Sequence, residues 1–140
     1  MKKVLLLISI IVFALAGPVA AEEYRAHTPK LGSQERKNIM NAVRKELKIN
    51  NQFNVYYLKA KNNSAYFAGK VISTDEQAQY DLGNIRALIE KQNNGSWKVV
   101  DIWTLAKETA SVEQRMAFNE RVRKKLKAEG TLEIILDESL

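Results

Sequence analysis

An aspartate set between two tryptophans is the arrangement in this sequence closest to a reactive centre. In the run Trp97-Lys98-Val99-Val100-Asp101-Ile102-Trp103-Thr104-Leu105, the odd positions carry Trp97, Val99, Asp101, Trp103 and Leu105. Successive side chains of a strand point to opposite faces, so a regular strand puts Asp101 on the face of both tryptophans. A carboxyl pressed against aromatic surface is desolvated, its pKa rises, and it can accept a proton in a pocket. The even positions, Lys98, Val100, Ile102 and Thr104, are also partly apolar, so periodicity leaves the core side open. A bulge would turn Asp101 outward, and a nearby Lys or Arg would neutralise it. No partner acid or base is recognisable; the favoured reading therefore has no catalytic residue, and Asp101 is the alternative.

The remaining inventory excludes more than it offers. There is one histidine, His27, and no cysteine. Thiol catalysis, disulfides, the usual zinc sites and a Ser-His-Asp triad are excluded on those counts. There is no phosphate-cradling loop and no dinucleotide fingerprint, so no metal and no cofactor is expected. His27 lies in an unpatterned N-terminal stretch and reads as an inert exposed residue.

Two other residue classes suit contact rather than chemistry. Tyr56, Tyr57, Tyr66, Trp97 and Trp103 fall in strand-like runs, where large rings bury area and keep a polar tip. Most read as core. Adjacent Tyr56 and Tyr57 must face opposite sides, which leaves one ring for a groove or an interface. Arg36, Lys37, Arg44, Lys45 and Lys48 spread over a broad helical arc, and Arg115, Arg121, Arg123, Lys124, Lys125 and Lys127 form a denser set. Both sets read first as solvated faces and second as surfaces for an acidic partner. If both helices lay on one side of the sheet, the two arcs would merge. The binding candidates are Arg36, Lys37, Arg44, Tyr56 and Trp103.

The elements that hold these residues follow from local pattern. Ser33 can cap a helix through its hydroxyl oxygen, Glu35 suits the positive helix end, and Ile39, Met40, Val43 and Leu47 form an apolar stripe. Phe53–Ala60, Ser64–Ser73, Asn84–Lys91 and Trp97–Leu105 have strand composition. Gly69 inside the second marks a bulge or a bend. Asn94-Gly95 between the last two strands is a hairpin signal, because both residues tolerate positive φ. Residues 74–81 read as a loop. Ser111-Val112-Glu113-Gln114 matches a capping box. Met116, Val122 and Leu126 mark a second helix ending near Gly130, with Phe118 outside the stripe. Leu132–Leu136 is a short strand candidate. The expected fold is α+β: an N-terminal helix packed on a four- to five-stranded antiparallel sheet, with a second helix near the C-terminus and both helices on one face.

The stretches "GSQERKNIMNAVR", "SAYFAGKV" and "IEKQNNGSWKVVDIW" resemble the layout of small secreted bacterial proteins of uncharacterised function. They are similar to compact helix-plus-curved-sheet domains of the NTF2-like or cystatin-like kind, over residues 31–105. The resemblance implies a fold and a compartment and transfers no catalytic residue; in NTF2-like folds it implies a concave sheet face able to hold a group such as Asp101.

Compartment is the last reading. Met1-Lys2-Lys3, an apolar run from Val4 to Gly17, and small residues before Glu22 form an export signal, residues 1–21, cleaved after Ala21. The run is shorter than the roughly 20 residues of a membrane span, so no span is expected after cleavage. A leader over 22–31 reads as flexible, and 32–140 as a single domain. The formal charge of +6 comes from 22 basic and 16 acidic side chains, and losing Lys2 and Lys3 leaves +4. That charge and export argue against nucleic acid as a partner. The expectation is a periplasmic or secreted bacterial protein. It binds an acidic protein or anionic envelope component without catalysis, as an inhibitor, immunity or accessory factor. The alternatives are a small-ligand binder or enzyme built on Asp101, and a homo-oligomer formed through an exposed sheet face.

Overall fold

The structure, a computed structural model, describes residues 25–73, 83–105 and 111–138. The export segment 1–21, the start of the leader and the loop 74–81 lie outside the described residues.

Helix α1 spans Gln34–Leu47, and the Ser33 hydroxyl accepts the Arg36 N–H at 3.2 Å. It stops where Lys48 turns left-handed, at φ 56°, so that the Ile49 N–H returns to the Arg44 carbonyl. Strands β1 (Gln52–Lys61), β2 (Ser64–Ile72), β3 (Asn84–Lys91) and β4 (Trp97–Thr104) pair in sequence order as an antiparallel meander. The β3–β4 turn is closed by Gln92 N–H to Ser96 O at 2.7 Å, with Gly95 alone taking the positive φ, 84°. Helix α2 spans Val112–Glu129; Ser111 caps it through Gln114 N–H, and Gly130 ends it at φ 70°.

Three expectations are corrected here. The apolar side of α2 is Phe118, Val122 and Leu126, while Met116 is 64% exposed. Spacing of four residues stacks those three side chains on one face, and that face is the one that buries. The fifth strand candidate is a 3-10 helix, Leu132–Ile135. Ile134 and Ile135 are both buried although adjacent, which a strand with alternating faces cannot provide and a helical turn can. Finally, the described part of the leader is tied down. His27 exchanges two backbone hydrogen bonds of 2.9 Å with Ala60 on β1, and Pro29 is buried and accepts from Arg36 Nη1 at 3.1 Å.

The helices lie on opposite faces of the sheet, not on one. Along β2, Ala65, Phe67 and Val71 join the cluster of Ile39, Met40, Ala42 and Val43 from α1. The alternate residues Tyr66 and Ala68 join the cluster of Phe118, Val122 and Leu126 from α2 with Ile134 and Ile135. Both parities of the central strands are apolar, since Ile85, Ala87 and Ile89 face one cluster and Leu88 the other. Each face must therefore be covered, and the basic arcs of α1 and α2 point away from each other.

Bulges set what each edge strand presents. On β1, Val55 pairs with Gly69 and Tyr57 with Ala68, so Tyr56 is the extra residue. On β4, Val99 pairs with Ile89 and Asp101 with Leu88, so Val100 is the extra residue. A bulge resets the alternation. Trp97, Val99 and Ile102 consequently pack toward α1, whereas Trp103 packs toward α2. Gly69 stands opposite the first bulge, and a Cβ there would come within 2.6 Å of the Asn54 carbonyl oxygen.

Candidate functional site

The residues singled out in the sequence are not brought together. Asp101, in register with Leu88 on the α2 side, shares its face with Trp103 but not with Trp97. Both of its carboxylate oxygens are engaged by Arg121, at 2.8 Å from Nε and 3.0 Å from Nη2. Arg36 holds the Pro29 carbonyl, and Arg44 holds the Asn51 carbonyl at 2.8 Å while lying 5.2 Å from the Phe53 ring centre. These two arginines are fastening α1 to its neighbours. Lys37 is exposed on α1, and Tyr56 projects from the β1 bulge, 57% exposed. Trp103 lies beneath Arg115, whose guanidinium sits 5.6 Å from a ring centre, on the other side of the sheet from α1.

The concentration of polar side chains lies instead between the sheet and the C-terminal segment Thr131–Glu138, which runs back from Gly130 over β1 and β2. Three side-chain contacts hold that segment. Tyr57 OH donates to the Ile134 carbonyl at 2.6 Å; Lys61 pairs with Glu133; Arg86, on β3, pairs with Glu138 through Nη1 and Oε1. The Glu138 side chain is 7% exposed. Burial pushes its carboxyl above the usual glutamate value, against the opposing influence of Arg86, Tyr66 and Arg115. Tyr66, fully buried on β2, has its phenol pushed upward, first by burial and then by the Glu138 charge. Its hydroxyl lies within hydrogen-bonding reach of both Arg86 and Glu138, and Trp103 Nε1 is buried without a partner among the described residues.

At the β1–β2 turn a cleft of about 380 Å³ is lined by Asn62, Asn63, Ser64, Glu90, Glu129 and Thr131, among others. Ser64 Oγ donates to Glu129 Oε2 at 3.0 Å, and Lys125 Nζ lies 3.1 Å from Glu90 Oε1. Burial and then the neighbouring Glu90 carboxyl raise the Glu129 pKa. Two carboxyls side by side can share a proton, and the Ser64 hydroxyl is hydrogen-bonded to one of them. Among the described residues, no group of three or more metal-ligating side chains could hold a metal ion, and no helix is long and apolar enough to cross a membrane.

No family model matches this chain, and neither a curated protein nor a solved structure does.

Arg86, Glu138, Glu90 and Glu129 were not anticipated. For β3 a signal existed: in Ile85-Arg86-Ala87-Leu88-Ile89-Glu90, one parity is wholly apolar and the other alternates charge with leucine. That pattern marks a covered face with polar partners on it. Nothing local points from Arg86 to Glu138, 52 residues away.

Proposed function

We propose that this chain is an exported, non-catalytic binding protein of the bacterial envelope, an inhibitor-, immunity- or accessory-type factor that meets an acidic partner through basic helix ridges. The observation that carries this reading is how charge is distributed. Five acids, Glu35, Glu90, Asp101, Glu133 and Glu138, are drawn into pairs with His27, Lys125, Arg121, Lys61 and Arg86 at or near the sheet. Lys37 and Lys45 on α1, Lys48 at its C-cap, and Arg123, Lys124 and Lys127 on α2, are exposed and ion-paired to no described residue. Lys37 and Lys45 lie on one ridge of α1 with Asn41, at spacings of four residues, and Lys48 closes its end. A surface of one sign steers an oppositely charged partner. The α2 bases occupy the C-terminal half of their helix, where they also complement its dipole, so the α1 ridge is the preferred contact. A helix followed by a four-stranded meander is compatible with the NTF2-like or cystatin-like resemblance, which supports the exported setting.

A ligand or catalytic pocket on the sheet has weaker support. Asp101 is committed to Arg121, and α2 with the C-terminal segment covers that face. The test is capture from periplasmic extract with wild-type chain and with Lys37→Glu/Lys45→Glu/Lys48→Glu. A partner retained by the first, lost with the second and released by salt is expected. Retention unaffected by charge reversal, or repeated failure to retain anything, overturns the reading.

A further inference from the structure

His27 is held by both nitrogens of its ring and by its backbone. Nδ1 lies 3.0 Å from the Arg25 carbonyl oxygen, and Nε2 lies 2.6 Å from Oε1 of Glu35, in the first turn of α1. A carbonyl oxygen only accepts, so Nδ1 carries a hydrogen. A neutral ring with its hydrogen on Nδ1 presents a bare lone pair at Nε2. That lone pair would face a carboxylate oxygen, which also only accepts. A separation of 2.6 Å therefore needs a further proton between Nε2 and Oε1. The two side chains are 37% and 39% exposed, so this proton exchanges with solvent. The backbone of the same residue closes the outer edge of β1. His27 N–H donates to the Ala60 carbonyl and Ala60 N–H to the His27 carbonyl, as an isolated bridge outside any longer strand. Residues opposite one another in an antiparallel pair share a face, and Ala60 faces α1, which carries the ring to Glu35. The other charged groups nearby turn elsewhere. Arg36 reaches the Pro29 carbonyl, Arg25 and Lys30 on the leader are exposed, and Lys59 and Lys61 flank Ala60 with the opposite parity, Lys61 pairing with Glu133.

We propose that the leader is clasped to the fold by the proton held between His27 and Glu35, and that losing this proton opens the two backbone bonds to Ala60 and frees the leader from the β1 edge. A carboxylate in contact favours the charged ring, so His27 titrates above the ordinary histidine value of about 6.5. A group whose value is raised on folding stabilises fully below its unfolded value. The clasp is therefore complete in mild acid and is lost as pH rises through the folded midpoint. Opening it leaves the N–H and C=O of Ala60 unpartnered on an outer strand, where an added strand can pair with them. The clasp uses none of the ridge lysines and regulates the fold itself.

A single histidine in the sequence makes the test direct. In the full chain, the His27 ring resonances are followed by NMR from about pH 5 to about pH 9. Hydrogen-exchange protection of the Ala60 N–H, corrected for the intrinsic pH dependence of exchange, is measured over the same range. Wild type is expected to show a midpoint above about 6.5. Ala60 protection should fall about threefold on crossing it, the scale of a partly exposed ion pair. Glu35→Gln should return the midpoint to the ordinary value. Glu35→Asp keeps the charge in the first turn of α1 but withdraws it by one methylene, and should lie between. His27→Gln should make the protection independent of pH. Circular dichroism checks that each variant is folded, and where one is not, the wild-type curves alone decide. A wild-type midpoint at or below the ordinary value overturns the proposal, as does a midpoint that Glu35→Gln leaves unmoved, or Ala60 protection that ignores the titration.

Discussion

Phe67 and Tyr66 are neighbours on β2, both fully buried, and face opposite ways into different interiors. Toward α1 the interior is hydrocarbon: Phe67 meets Phe53 with ring centres 5.1 Å apart, among Ile39, Val43, Ile85 and Ile89. Toward α2 the covering is shared between a helix and a short return segment, and charged or hydroxylated side chains are interleaved with the apolar ones. An all-apolar interior depends on volume and shape alone. A mixed one also depends on every polar atom finding a partner, and the buried Trp103 Nε1 has none among the described residues.

The contrast predicts unequal responses to substitution. The largest is Phe67→Ala, expected to cost about 4 kcal/mol by urea unfolding, because a cavity opens in a well-filled layer. Arg86→Met comes next. It strands the buried Glu138 charge and should cost about 3 kcal/mol, while adding Glu138→Leu should recover most of that in a double-mutant cycle. A null coupling would mean that the C-terminal segment simply lifts away.

The pH response reads the same face. Glu129 and Glu138 both have carboxyls raised from the ordinary 4.5, so the folded chain holds these protons more tightly than the unfolded one. Their stabilisation is complete below pH 4.5 and is lost as pH rises through the folded values. The unfolding midpoint should therefore fall with rising pH through that window, and Glu138→Gln should flatten the slope. The phenols of Tyr57 and Tyr66 are raised from 10.0, so their share is intact below pH 10 and disappears above it.

Smaller effects come from the two tyrosines. Tyr57→Phe removes the donor to the Ile134 carbonyl and should cost about 1 kcal/mol, and Tyr66→Phe, which takes a buried hydroxyl away from Arg86 and Glu138, should cost about as much. Asp101→Asn should have the smallest effect, under about 1 kcal/mol, since its pair with Arg121 is largely open to water. A larger loss would return Asp101 to consideration as a functional residue.

Local chemistry was the legible part of this fold. Ser33 and Ser111 cap helices, Gly130 ends one and Gly95 turns a hairpin, each through residues within a few positions of itself. The four strands and two helices followed from such signals. The division of the helices between two faces was present in the double apolar parity of β2 and β3, but it is visible only once both parities are weighed together. The bulges at Tyr56 and Val100 leave no mark on their own strands, because the mismatch is between strands. That is why Asp101 seemed to share a face with Trp97. Leu132–Ile135 is too short an apolar run for period to separate strand from helical turn. The seat of the C-terminal segment was the least legible, since Glu138 and Arg86 meet only through the finished tertiary structure.

The kinks at Tyr56 and Val100 fall on the two outermost strands of the sheet. A straight outer strand offers a row of unpaired amides and carbonyls on which another chain can grow, and a kink interrupts that row. Placing one on each side gives this slab two poor templates for fibril-like stacking. Excising Val100 would straighten one of them while leaving Val99 opposite Ile89 and Asp101 opposite Leu88 on their present faces, so the interior would keep its sides while the outer edge lost its protection against stacking.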